Sequence, residues 1–209
     1  MNRDPRWGRN GETSSEDPYF NSLYGAAYAD GAQRDAAEPR FLKTIVTLKH
    51  WGAYSVDLYD NGTDSAHRQS FDANVSAFDM ADSYEPTFEL AVRGAAAPGD
   101  NATQYMGALG VMCSYNAVNG TPTCASRSMQ TDTLRGAWGF EGYVVGDSDT
   151  VKFIQTEHHY AASPAQAVVR PAARLARTRP HTRHIRARAH TRASAHGAHA
   201  KWLRSSGGL

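Results

Sequence analysis

The sequence predicts an α/β fold organised on a parallel sheet, and three observations carry that reading. Short β-branched or apolar runs alternate with stretches of helical spacing along the first 169 residues, the pattern of strands joined by helical crossovers. The stretch Gly142-Tyr143-Val144-Val145-Gly146-Asp147-Ser148-Asp149 is a short β-branched run that stops abruptly at a small residue and a carboxylate, as a buried parallel strand does. Three strands in succession also end in polar or charged residues: Lys49-His50, Tyr115-Asn116 and Asp147. Carboxyl ends of parallel strands share one face, and convergence there is what an α/β active site requires.

Residues 1–18 are polar and turn-rich, with Pro5, Gly8, Gly11 and Pro18, and read as a loop. Arg3, Arg6, Arg9, Glu12, Glu16 and Asp17 surround Trp7 there, a density of both charges that suggests a salt-bridged loop lining a polar site. Asp17-Pro18 reads as the cap and first residue of a helix. Leu23, Tyr24, Ala27 and Tyr28 follow at helical spacing. Lys43 to Leu48 is a β-branched strand that delivers Lys49 and His50 at its end. Residues 52–75 are irregular and polar, a connection long enough to be functional. Ser76 caps a helix with Phe78, Met80 and Tyr84, and Pro86 restarts one with Phe88, Leu90 and Val92. Leu109 to Cys113 is the next strand, Ser126 to Trp138 the next helix, and the Tyr143 strand follows. Ser163-Pro164 opens a last helix.

The charge is unevenly spread. Ten of the 22 basic residues follow Glu157 and none of the 21 acidic ones do, so the first 157 residues carry 12 against 21, a balance of −9. Sequons occur at Asn61, Asn74, Asn101 and Asn119, which leans towards a secreted protein and makes Cys113–Cys124 a candidate disulfide. The alternative is a pair of reduced, unrelated thiols. Met1-Asn2-Arg3-Asp4 does not read as a secretory leader, so a secreted parent is expected to begin further upstream. No apolar run is long enough to span a bilayer.

The segments RDPRWGR, ET and EDP within 3–18, LKH and AY within 48–54, VMCSYNAVNGTPTC at 111–124 and GF.GYVVGD at 139–147 resemble, in order and spacing, glycoside hydrolase family 3. RDPRWGR, the TPTCA segment and Ser148-Asp149 after Asp147 are most similar to its β-xylosidase and α-arabinofuranosidase branch. The resemblance covers about residues 2–169 and implies part of a (β/α)8 TIM-type barrel. It implies a retaining glycosidase in which Asp147 is the nucleophile, Lys49, His50 and Arg9 bind hydroxyls of the terminal sugar, and Met112 and Tyr115 wall that sugar. The substrate implied is a xylo-oligosaccharide. The resemblance requires no metal and no organic cofactor, and neither nucleic acid nor membrane is an expected partner. The oligomeric state is not legible. A β-glucosidase of the same family is the nearest alternative, and a catalytically inactive fragment is the other.

The chemistry of the residues agrees independently. A glycosyl transition state is oxocarbenium-like, and a carboxylate below the anomeric carbon stabilises it and can bond to it. Sugar hydroxyls need forked donors and acceptors, which Arg, Lys, His and Asn supply. The family's early strands, one with a substrate-binding Asp, would precede residue 1, and its acid/base Glu would lie on a second domain beyond residue 209. Asp149, two residues along the same loop as Asp147, is not expected to face the leaving group. The isolated polypeptide is therefore expected to be poorly soluble and inactive. From about residue 170 the resemblance stops and an Arg-, Ala- and His-rich stretch without acids follows. That tail is expected to be disordered. Read-through or a shifted frame in a GC-rich gene accounts for it better than a nucleic-acid-binding role. Its five His residues show no metal-ligand spacing.

Overall fold

The structure, a computed structural model, describes residues 1–60, 65–94 and 105–168. The expected tail at 170–209 and the Asn61 and Asn101 sequons lie outside the described residues. The chain runs α1 (Pro18–Gln33), β1 (Thr47–Trp51), β2 (Leu58–Asp60), β3 (Ser65–His67), β4 (Asp72–Ala73), α2 (Ala77–Asp79), α3 (Pro86–Arg93), β5 (Gly110–Cys113), β6 (Ala117–Val118), β7 (Thr121–Pro122), β8 (Tyr143–Gly146) and α4 (Thr150–Thr156). A π-wound segment, Met80–Tyr84, joins α2 to α3, and a longer one, Ser128–Ala137, precedes β8.

Asp17 caps α1 by accepting the backbone N–H groups of Tyr19 and Phe20, with Pro18 in the first turn, where a missing N–H costs nothing. The buried face of α1 is its small and polar one: Ser22, Ala26, Ala29 and Gln33. Phe20, Tyr24 and Tyr28 stack on one another along the exposed face. The reason is distance. The helix approaches α3 so closely that a Cβ on Gly25 would lie 3.1 Å from that of Ala91, leaving no room for rings.

Strands β1, β5 and β8 form a parallel sheet in that order. The register places Lys49, Met112 and Val145 side by side, then Trp51, Cys113 and Gly146. The first strand lies further along the chain than the β-branched run from Lys43 implied. Gln33 explains the shift. Its buried amide oxygen accepts from the backbone N–H groups of Val46 and Leu109, at 3.0 and 3.2 Å. A side chain from the end of α1 thus takes the donors that would have lengthened the ladder, and β1 begins at Thr47.

On one face of the sheet Leu48, Val111 and Val144 pack with Trp51, Phe88, Val92, Met129, Leu134, Trp138 and Phe140. Trp51 has no exposed surface, and its ring lies 5.1 Å from Phe88 and 5.0 Å from Trp138. Gly52 follows it at φ +146°, where a Cβ would lie 2.5 Å from Ser114 Oγ. Only glycine lets the end of β1 abut the end of β5 so closely. The connection 52–75, irregular in the sequence reading, contains an antiparallel pair, β2–β3, and the short β4, which lies parallel to β6. Hairpin β6–β7 completes that second sheet.

Cys113 and Cys124 form a disulfide with Cα atoms 5.2 Å apart. It ties β5 to the turn before the Ser128 segment and packs with Ala125, Ile154, Ala161 and Ala167. A closed loop this short stabilises chiefly by restricting the unfolded chain, by about 2–3 kcal/mol. The double variant Cys113→Ala, Cys124→Ala is expected to lose that amount, read as a lower urea midpoint. An unchanged midpoint would show the bond to be idle. Among the described residues no helix is long and apolar enough to cross a membrane.

Candidate active site

Because β1, β5 and β8 are parallel and in register, their last residues emerge together. His50 comes from β1, Tyr115 from just beyond β5 and Asp147 from just beyond β8. The 1–16 loop closes over them. Trp7 is buried with Tyr54 and Tyr115, and Phe71 and Phe153 pack around the three. That anchor brings the Asn10–Glu12 turn and Arg9 to the strand ends.

Arg9 is the hub. Its Nε and Nη2 donate to the two carboxylate oxygens of Glu12, at 2.7 and 2.9 Å. Its Nη1 donates to the Tyr54 hydroxyl at 3.2 Å, and the guanidinium lies over the Tyr54 ring. Lys49 Nζ reaches the same Glu12 from β1, at 2.7 Å. Tyr54 in turn donates to Asp57 at 2.6 Å. The β1 register shifts between Lys49 and Trp51, and the successive side chains of Lys49 and His50 both serve this one cluster instead of alternating across the sheet.

Asp147 is the carboxylate at the centre. Its Oδ1 accepts the Ser148 backbone N–H at 2.7 Å, its Oδ2 lies 3.2 Å from His50 Nε2, and its charge acts on the neighbouring Tyr115 phenol. The N-cap position of α4 is taken by Asp149, in the left-handed region at φ 60°, so Asp147 is not that helix's cap. Its side chain retains 19% exposure, an opening for a ligand.

His50 Nε2 is also 3.3 Å from Arg9 Nη2. One nitrogen cannot both accept from Arg9 and donate to Asp147 while the ring is neutral. Burial, and then the Arg9 charge, push the His50 pKa down to about 4, against the opposing pull of Asp147. The ring is therefore neutral near pH 7. Arg9 Nη2 already has Glu12, and a bond to an anion is the stronger, so the Nε2–H tautomer facing Asp147 is favoured. The contact is a hydrogen bond and not an ion pair.

A depressed histidine pKa has a direct consequence for stability. Between pH 6.5 and about 4 the unfolded chain binds this proton and the folded chain does not. Stability is then full above pH 6.5 and is lost as pH falls through that window, by up to about 3 kcal/mol. A His50→Gln variant is expected to flatten that part of the stability–pH curve. An unaltered slope would rule out His50 as its source.

Glu12 is held down to about 2, first by its hydrogen bonds from Arg9 and also by Lys49. It is a poor proton donor near neutral pH. Arg9 is raised, chiefly by Glu12. Burial, then Asp57, raises Tyr54, and burial, then Asp147, raises Tyr115, so both phenols stay protonated as donors. Among the described residues no group of three His, Cys, Asp or Glu is arranged to hold a metal ion.

Arg9, Lys49, His50, Tyr115 and Asp147 thus lie in one cluster, with Arg9, Glu12 and Lys49 bonded on one side and His50 and Asp147 on the other. Met112 sits on β5 in register with Lys49, one residue short of the strand end, and Cys113 and Cys124 lie below as the disulfide. Glu12, Tyr54, Asp57 and Arg68 also belong to the site. Arg68 covers the Tyr115 ring, with Cζ 5.5 Å from its centre, and lies 3.9 Å from Asp57. The charge density around Trp7 pointed to Glu12. Arg68 and Asp57 carry no such local signal, because a loop folded back over β5 brings them in.

The family description "Glycosyl hydrolase family 3 N terminal domain" matches residues 1–171. Beta-D-xylosidase 3 of Arabidopsis thaliana is 40% identical over 169 residues, 80% of this chain and 20% of that protein. An exo-1,4-beta-xylosidase of Emericella nidulans is 42% identical over 168 residues, 79% and 20% of the two chains. Among solved structures, a GH3 exo-beta-xylosidase in complex with a xylobiose aziridine activity based probe superposes with a TM-score of 0.70 at 33% identity, over 82% of this chain and 20% of that one. A beta-glucosidase from Listeria innocua in complex with glucose gives 0.65 at 28% identity, over 83% and 22%. The chain spans about a fifth of the length of the relatives it matches.

Proposed function

The chain belongs to glycosyl hydrolase family 3, and from that premise we propose that it supplies the nucleophile and part of the sugar-binding subsite of a secreted, retaining β-xylosidase acting on xylo-oligosaccharides. The observation that carries the reading is the Asp147 carboxylate at the tip of a parallel strand, part-exposed and held by the Ser148 N–H and His50. In this reading β1, β5 and β8 are consecutive strands of a (β/α)8 barrel, and residues 1–169 are one part of that domain.

Asp147 attacks the anomeric carbon of the terminal xylosyl unit as the bond to the leaving oxygen breaks. Water then hydrolyses the glycosyl ester. The Ser148 N–H on Oδ1 and His50 beside Oδ2 fix the orientation of the Asp147 carboxylate. Arg9, Lys49 and His50 hydrogen-bond the sugar hydroxyls, and Met112 and Tyr115 wall its apolar face. With Glu12 locked to two cations, the proton for the leaving oxygen is assigned to a Glu outside this chain.

The first step can be tested independently of that acid, because a dinitrophenolate leaving group needs no proton. Incubating the complete enzyme that carries these residues with dinitrophenyl 2-deoxy-2-fluoro-β-xyloside should add one fluoroxylosyl group to the peptide that contains Asp147, detected by mass spectrometry. No adduct, or one on another residue, would overturn the assignment. Likeness to solved β-glucosidases supports glucose as the second reading. The corresponding fluoroglucoside labelling faster than the fluoroxyloside would decide for it.

A further inference from the structure

Glu12 touches neither Asp147 nor, in the reading above, the sugar, yet the two cations assigned to the sugar both end on it. Arg9 gives it two parallel bonds, and Lys49 gives its Oε2 a third. The two cations come from elements far apart in the chain, the 1–16 loop and β1, so nothing local sets their separation. Lys49 has a flexible four-carbon stem that would otherwise sample many positions. We infer that Glu12 is a positioning and specificity-determining residue: it holds Arg9 and Lys49 as neighbouring donors and cancels one of their charges, so that the subsite takes an uncharged terminal sugar and rejects a uronate.

The charge count follows from the contacts. Arg68 is balanced by Asp57, and His50 is neutral near pH 7. Arg9 and Lys49 then face Glu12 and Asp147, two positive charges against two negative. Removing the charge of Glu12 leaves a net positive subsite beside donors suited to a carboxylate. This inference rests on the glycosidase reading of the same site.

The test uses the complete enzyme that carries these residues, with methyl β-D-xyloside and methyl β-D-glucuronide as probes and NMR shift titration as the readout. Glu12→Gln is nearly isosteric, removes the charge and leaves one oxygen to accept. It is expected to weaken xyloside binding about tenfold and strengthen glucuronide binding about tenfold. Glu12→Asp keeps the charge but is too short to span both cations, and is expected to weaken the xyloside without gaining the glucuronide. Equal loss of both sugars in Glu12→Gln, or no change in either, would overturn the inference while leaving the glycosidase reading intact. Failure of the unaltered enzyme to bind the xyloside would overturn that reading, and this inference with it.

Discussion

In the complete enzyme that carries these residues, Asp147→Ala is expected to abolish turnover of dinitrophenyl β-xyloside, with a rate loss of about four orders of magnitude or more. The size follows from the role. With no carboxylate below the anomeric carbon, neither the oxocarbenium charge nor the covalent bond has a partner. A group that merely bound sugar would raise KM by one or two orders and leave kcat largely intact. A second measurement separates loss of the nucleophile from loss of the fold. The alanine leaves a gap on the attacking side, and azide ion entering it would bond to the anomeric carbon as dinitrophenolate departs, giving the α-xylosyl azide of inverted configuration. Recovery of that product assigns the nucleophile to Asp147. A rate within tenfold of the unaltered protein would remove it from the mechanism. Asp147→Asn, which keeps the shape and one accepting oxygen, should lose a comparable factor, because the missing element is the charged oxygen.

Trp51→Ala is expected to cost about 3–5 kcal/mol of stability, the range for removing a large buried aromatic from a packed core. Trp51 is fully buried between Phe88 and Trp138 and ends the strand that carries Lys49 and His50. The cavity would lie under the site, so the loss should appear twice, as a lower urea midpoint and as weaker xyloside binding. Trp51→Phe retains part of the packing and should lose about half as much. A loss under about 1 kcal/mol for the alanine variant would mean that the three-ring stack does not hold the strand end in place.

Much of the local structure was legible in the chain. Asp17-Pro18 announces a helix through chemistry confined to three residues, and the Tyr143–Gly146 strand through a β-branched run with a sharp end. Family membership was equally legible, because ordered motifs such as RDPRWGR and VMCSYNAVNGTPTC are a property of the sequence itself. Other features depend on partners distant in the chain. The start of β1 moved because Gln33, fourteen residues earlier, occupies the donors of Val46 and Leu109. The outward turn of Tyr24 and Tyr28 followed from Gly25 lying against Ala91. In the connection after Gly52, β4 pairs with β6 more than forty residues on, and no local periodicity signals that pairing.

The same division runs through the site. Sequence by itself determined which residue types stand at the strand ends, and that Asp147, Lys49, His50, Arg9 and Tyr115 are the candidates. Those identities come from strand termini and motif spacing, which are local. Only the tertiary structure decided their states and partners: His50 neutral and facing Asp147, Glu12 shared by Arg9 and Lys49, and Arg68 laid over Tyr115. Protonation and hydrogen-bond choice depend on burial and on charges within a few ångströms. Those distances are set by the register of a parallel sheet, whose paired strands lie more than thirty residues apart.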